Sequence, residues 1–319
     1  MSDERLSNKS IRKAGANLKD NIATSDDLDI ISTFRSNHIP LMKMLVKTLS
    51  KKLPKPIFIA RRLKRLNSIK AKLTRFSGMN LDRMQDIGGV RAVFKNDNEV
   101  MNFARKVKET YTKKGALEIV KENDYIKEPK DDGYRSYHII FKYNGKIPSV
   151  SGYHIELQLR SILQHYWATA VEILALKSET NIKAGYGQEH YKRFFWLCAE
   201  LFTGKKEFIE EIKELDDKHN ILILLSGLNV VANKLQDKGQ EGLYLLILDT
   251  QSSVLKLLEF GKNEIETAKE MYQNLETSKK TQSVLVSVDS IKKLKKAYPN
   301  YFMDAKSFIK EVKQRAKYE

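Results

Sequence analysis

Cysteine is almost absent: Cys198 is the single one in 319 residues, which excludes an internal disulfide and leaves no thiolate set for a structural zinc site. A reducing, cytoplasmic setting fits. Long apolar runs are missing too. The most apolar stretch, Ile221 to Val231, is interrupted by Ser226, Gly227 and Asn229 and falls short of the about 20 residues that cross a bilayer. It reads as a buried helix, and no membrane partner is expected. The first residues, MSDERLSNKSIRKAG, lack the apolar core of a signal peptide. Acid is in short supply, with 40 Asp plus Glu against 57 Lys plus Arg. The resulting +17 is more than solubility requires and favours polyanionic partners: nucleotides, nucleic acid or an anionic surface.

What is present reads as two units. Residues 1 to about 35 are polar and expected to be loose at the start. Ile39 to Leu49 has helical apolar spacing, broken by Leu53-Pro54-Lys55-Pro56. From Phe58 to Leu73, Ile59, Leu63, Leu66, Ile69 and Leu73 recur three or four apart, which predicts a helix or a helix with a short break. Arg62, Lys64, Ser68 and Lys72 lie mostly off that stripe. Met84 to Phe94 runs from a polar turn into an apolar strand, and Gly88-Gly89 beside Asp86 suggests close approach of a second strand or of a ligand. Asp97 or Asn98 caps a helix to about Lys114. Strands follow at Ala116–Val120, Tyr134–Tyr143 and Tyr153–Arg160, then a helix after Ser161 reaching Leu176. The first unit is thus α/β, one mixed sheet flanked by helices. Beyond a helical stretch ending near 235 the pattern becomes ββαβα: Leu243–Leu248, Val254–Phe260, a helix from about Asn263 to Lys279, Val284–Val288, and helices capped by Ser290 and Asp304. Residues 1–235 and 236–319 are the expected domains.

Two short runs concentrate chemistry. In Ile155-Glu156-Leu157-Gln158-Leu159-Arg160 the apolar residues share one face of a strand, and acid, amide and guanidinium share the other. Gly133-Tyr134-Arg135-Ser136-Tyr137-His138 adds aromatic and cationic groups. Each alone fits the solvated face of a sheet as well as the floor of a polar site.

Four blocks together resemble the alarmone synthetases of the RelA/SpoT type. They are Arg62-x-Lys64-x3-Ser68-Ile69-x2-Lys72, Asp86-Ile87-Gly88-Gly89-Val90-Arg91, Asp124-Tyr125-Ile126 to His138, and Glu156 to Ser161, in order over roughly residues 40 to 180. The resemblance implies a nucleotidyltransferase-like fold and transfer of pyrophosphate from ATP to a ribose 3′-hydroxyl, with Mg²⁺ as cofactor. It implies Asp86 as the Mg²⁺ ligand and Glu156 as a second ligand or as the base for the hydroxyl. By the same resemblance Arg62 and Arg91 sandwich adenine, as planar guanidiniums can, and Lys64, Ser68 and Lys72 hold the ATP phosphates. Tyr134 stacks on the acceptor base, Lys130, Arg135 and His138 hold acceptor phosphates, and Gln158 and Arg160 extend that surface. Asp132 departs from the Asn common in the family, and Ile173 from the His of many small synthetases. The chain lacks the His-Asp dipeptide of the family's hydrolase domain, so no degradative activity is implied.

The second unit, with Tyr298-x-x-Tyr301, resembles the fused toxin–antitoxin synthetases of the CapRel type. That resemblance implies a zinc-finger-like fold without metal, which shields the ATP site until a phage protein, often a capsid protein, binds it. It also implies the 3′ CCA end of tRNA as acceptor. Tyr298 and Tyr301 either compete with adenine for Arg62 and Arg91 or pack in the small domain's core. GDP or GTP as acceptor, and an inactive RNA-binding module, stay open as alternatives.

Overall fold

The computed structural model describes residues 5–52, 54–111, 115–177, 189–226, 231–232, 242–249, 254–261, 264–276, 281–288, 291–298, 301–302 and 304–318. Ser290, an expected cap, lies outside them. The N-terminal stretch expected to be loose forms two helices, α1 (Asn8–Lys19) and α2 (Ser25–Ser36), before α3 (Ile39–Leu49). Its polarity hid two start signals. Ser7 caps α1 by accepting from Ser10 N, and Thr24 with Asp27 forms a reciprocal capping box at α2. The helices then bury Ile11, Ala14, Ile31 and Phe34, so sparse apolar residues sufficed.

The second departure is β1 (Phe58–Leu63), followed by α4 (Leu66–Arg75), where the spacing predicted a helix throughout. Two neighbours claim this segment: β1 pairs antiparallel with β2 (Gly88–Phe94) on one side and β9 (Thr281–Val288) on the other. Pairing on both edges outweighs a local three-four spacing. Its consequence for the site is direct, because residues two apart in a strand share a face, so Ala60 and Arg62 point the same way.

The remaining elements are α5 (Asp97–Thr110), β3 (Leu117–Asp124), β4 (Tyr137–Tyr143), β5 (His154–Ser161), α6 (Ile162–Lys177), α7 (Glu189–Phe202), α8 (Ile209–His219) and α9 (Ile221–Ser226). Then come β6 (Val231–Ala232), β7 (Gly242–Asp249), β8 (Val254–Phe260), α10 (Ile265–Glu276), α11 (Ile291–Ala297) and α12 (Lys306–Arg315). The cap of α5 is Asn96, one residue before the expected Asp97 and two before Asn98, and Ser161 ends β5 as Gln164 Oε1 accepts from its N–H.

Among the described residues one sheet of nine strands runs β3-β4-β5-β2-β1-β9-β7-β8-β6. The pairs β2–β5 and β6–β8 are parallel and the others antiparallel. The mixed α/β architecture expected from the sequence is therefore present, and the order β7-β8-α10-β9-α11 is the expected ββαβα. The two halves share one sheet and one core: Phe58, Ala60 and Val93 pack with Tyr244, Leu246, Val286, Tyr298 and Tyr301. On the opposite face Arg35 of α2 donates to Tyr272 Oη of α10 at 2.8 Å, with its guanidinium over the same ring. None of the described helices is long and apolar enough to cross a membrane.

The last helix, α12, leaves the small unit and packs on helices of the first. Ala305, Phe308, Val312 and Ala316 join Trp167, Phe195, Leu197 and Leu225 in one cluster, with Phe308 5.5 Å from the Phe195 ring and 5.7 Å from Phe202. Phe308→Ala leaves a cavity among these rings and should cost about 3–5 kcal/mol, read as a lowered denaturation midpoint of the full-length chain.

Candidate active site

The sheet's register assembles a row of polar groups. Arg62 lies opposite Gly89 and Gly89 beside Glu156, while Ala60, Arg91, Gln158 and His138 form the next row. Ile155, Leu157 and Leu159 face the core beneath, so the alternation in β5 divides buried from chemical surface as its sequence indicated. The two glycines differ. A Cβ on Gly88 would come within 2.8 Å of His38 Cβ, so that glycine serves packing; one on Gly89 would meet nothing closer than 3.8 Å, and its absence leaves the floor of the cleft open.

That cleft, of about 50 Å³, is lined by Arg62, Lys64, Asp86, Arg91, Glu156, Gln158 and Tyr298, with Ala60, Gly89 and Val90. Asp86 receives Lys64 Nζ on Oδ2 at 2.7 Å and Lys72 Nζ on Oδ1 at 2.9 Å. Burial alone would raise its pKa, but the two ammonium groups hold the carboxyl below its ordinary value. Glu156 receives His138 Nδ1 on Oε1 at 2.9 Å and Gln158 Nε2 on Oε2 at 2.7 Å. Here too burial opposes ionisation, and His138 and Gln158 overcome it, bringing the carboxyl down to about 2. Cations crowd the other wall. Burial, with Arg160 and Arg62 nearby, pulls the Arg91 guanidinium down to about 9, and its Nε donates to Gln158 Oε1 at 3.3 Å. Such a concentration of positive charge favours an anion.

Beside it lies a second cluster. Tyr134 Oη is 2.9 Å from His138 Nε2 and accepts from Arg160 Nη2 at 2.7 Å. Burial would push the phenol up, yet Arg160 and His138 bring it down to about 7. Lys130 Nζ and the Arg160 guanidinium each sit 5.1 Å from the Tyr134 ring centroid. Asp132 accepts from Tyr134 N at 2.9 Å, so the acid that departs from the family's Asn is spent on holding this turn.

Of the residues singled out in the sequence, Asp86, Glu156, Arg62, Lys64, Lys72, Arg91 and Gln158 converge on the cleft, and Lys130, Tyr134, His138 and Arg160 on the cluster beside it. Ser68 sits half-buried on α4 and is not part of the cleft lining. Arg135 turns away: its guanidinium pairs with Glu200 of α7 and donates to Gly133 O, while Lys205 closes on the other Glu200 oxygen at 2.6 Å. Tyr298 lines the cleft and donates to Arg61 O at 2.8 Å. Tyr301, 1 % exposed, lies in the shared core, where its hydroxyl accepts from Arg65 at 3.3 Å. Sequence reasoning missed Tyr125, whose ring stands edge-on to His138 at 5.2 Å, and Glu200, which carried no signal within an apolar helix.

Titration tests the second cluster. Tyrosinate difference absorbance of the full chain should show one tyrosine ionising near pH 7; Arg160→Gln should move that step to roughly pH 8–10, and Tyr134→Phe should remove it. The phenol is depressed below the unfolded value of about 10. Its contribution to stability is therefore absent below pH 7 and grows as the pH rises from 7 towards 10.

Residues 61–180 match the family profile described as "Region found in RelA / SpoT proteins". That stretch holds Arg62, Lys64, Asp86, Arg91 and Glu156, and leaves out Tyr298. The chain is 35% identical over 135 residues to GTP pyrophosphokinase YjbM of Bacillus subtilis, covering 39% of this chain and 59% of that protein. It is 33% identical over 89 residues to GTP pyrophosphokinase YwaC of the same organism, covering 28% and 40%. The chain thus spans less than two thirds of these relatives. Among solved structures, it is similar to small alarmone synthetase 1 of Bacillus subtilis bound to its product pppGpp. That likeness has a TM-score of 0.45 and 26% identity, and covers 57% of this chain and 93% of the other. Small alarmone synthetase 2 of that organism gives 0.42 and 26%, over 56% and 97%.

Proposed function

We propose that the chain is an ATP-dependent pyrophosphokinase whose acceptor is the 3′ CCA end of tRNA, and that Tyr298 blocks its ATP site at rest. The observation that carries the chemistry is the convergence of Asp86 and Glu156 with Lys64, Lys72, Arg62 and Arg91 on one cleft. Two anionic carboxylates under a cationic wall suit a polyphosphate that arrives with a metal ion.

The donor set fits Mg²⁺, which takes one or two carboxylates together with substrate phosphates. Asp86 would hold it, with Glu156 as a second ligand, and the lysines now on Asp86 have the reach to transfer to phosphate oxygens. When bound, the ion draws charge from the reacting phosphoryl oxygens. Arg62 and Arg91 clasp adenine, and Lys64, Ser68 and Lys72 hold the phosphates. Tyr134 receives the acceptor base, with Lys130, Arg135 and His138 as its phosphate-binding set and Gln158 and Arg160 completing the surface. Arg135 would first have to leave Glu200. The 3′-hydroxyl oxygen attacks the β-phosphorus, its proton passes to Glu156, and the bond from that phosphorus to the α,β-bridging oxygen breaks to release AMP. Modification of the CCA end prevents aminoacylation and stops translation. A phage protein, such as a capsid protein, that grips the C-terminal unit would withdraw Tyr298, which makes the chain a cytoplasmic anti-phage device.

The names of the curated relatives favour a second reading, a GTP pyrophosphokinase acting on GDP or GTP. Incubation with γ-labelled ATP and either tRNA or GDP separates the two: label on tRNA supports the first, and labelled guanosine product with tRNA untouched overturns it. Glu156→Gln should abolish either transfer; unchanged transfer and toxicity would point to an RNA-binding module.

Tyr298→Ala should raise transfer by the full-length chain tenfold or more if the ring's contacts with Arg62 and Arg91 are worth about 1.4 kcal/mol. A rate no higher than that of the unaltered chain would sink autoinhibition.

A further inference from the structure

A larger cavity, of about 140 Å³, lies outside the candidate ATP cleft and has no role in the mechanism above. It opens at the carboxyl ends of the parallel strands β2 and β5, where Lys95–Asp97 follow β2 and Ser161 ends β5. Leu163, Trp167 and Phe202 give it apolar and aromatic walls, and Asp97 puts a carboxylate at its edge. That carboxylate is fixed: Gln164, itself held by Ser161 N through Oε1, donates from Nε2 to Asp97 Oδ1 at 2.9 Å.

The chemistry of the lining selects the ligand. A phosphate is disfavoured although the start of α5 lies here. Asn96 already accepts from Glu99 N, Glu99 accepts from Lys95 N, and Asp97 adds negative charge. A flat heteroaromatic ring with an amino group suits the place better, since the ring lies against the wall made by Leu163, Trp167 and Phe202 and the amine donates to the carboxylate of Asp97.

Position supplies the rest. Gly133 and Arg135 line this cavity, while Tyr134 between them reaches the opposite way, to His138 and Arg160 beside the reactive cleft. Tyr134 and Trp167 are 6.3 Å apart, centroid to centroid. The turn is therefore a ridge with the proposed acceptor base on one side and this slot on the other. Lys95, exposed at the rim, is available to a phosphate crossing it.

We propose that the cavity holds the base of the nucleotide on the 5′ side of the reacting one, and that it takes a pyrimidine carrying an exocyclic amine, cytosine, in preference to uracil. The inference rests on a polynucleotide acceptor and adds to it a second subsite with its own specificity.

The full-length chain offers a direct readout, because Trp167 and Trp196 are its two tryptophans. In Trp196→Phe, Trp167 alone reports on the slot. Titration with the dinucleotide CpA should quench its emission, with half-saturation about tenfold below that for UpA and little effect from adenosine alone. Asp97→Asn keeps the acceptor oxygen for Gln164 but offers an amide to the ligand, so it should erase the preference for CpA or turn it towards UpA. A purely structural role for Asp97 would weaken both dinucleotides equally. Equal responses to CpA and UpA in the unaltered slot, or a response to adenosine matching that to CpA, would overturn the proposal. So would labelling of tRNA by a chain whose Trp167 emission CpA leaves unmoved. Quenching by CpA without transfer to tRNA would keep the subsite and refute the acceptor reading instead.

Discussion

Strand β1 is the constraint on which both halves depend. Its pairing with β2 sets Arg62 over Gly89 and beside Glu156, and its pairing with β9, through Arg61–Ser287 and Arg62–Val286, fixes the C-terminal unit in the same sheet. Because one strand serves both partners, the position of Tyr298 is coupled to that of the polar row on β2 and β5. The backbone carbonyl that accepts from Tyr298 belongs to Arg61, the neighbour of Arg62, which lines the same cleft as the ring. His165 adds a tie from α6 to the carbonyl of Lys296, at the end of α11.

The cleft that Tyr298 lines has an electrostatic peculiarity. Burial pushes the Tyr298 phenol up to about 12, although Arg62 and Arg91 act against it, so the ring enters as a neutral group. It fills space without cancelling charge. On the function proposed above, a nucleoside triphosphate would bring to this wall the negative charge that the neutral ring does not.

Legibility in the sequence followed the range of the interactions. The floor of the site was readable because strict alternation in Ile155–Arg160 and the order of the four blocks are local facts. Phe58–Leu73 misled because a three-four apolar spacing was satisfied by a strand and a helix in succession, and one of the two pairings that make the strand comes from residues more than 200 positions away. The N-terminal helices were hidden by polarity despite caps that were visible in Ser7 and Thr24. Arg135 shows the limit at the site itself: its place in the motif is clear, but its ion pair with Glu200 depends on α7, which carries no pattern that would announce it. Tyr298 and Tyr301, three residues apart, both join the core of β7 and β9, and that Tyr298 also lines the cleft depends on that same distant packing.

Helix α12 changes what kind of object the C-terminal unit is. With β7 to α11 lying between α9 and α12, and both flanking helices bedded in the same cluster, the unit is a loop tied at two ends and not a tail. A displaced tail can drift away, whereas a doubly tethered element stays at a high effective concentration over the site it has left. Removal by truncation would also strip Phe308 from the rings it covers. On the autoinhibition proposed above, a partner would have to hold the unit off continuously, and once that grip ended the tethers would favour rapid reclosure.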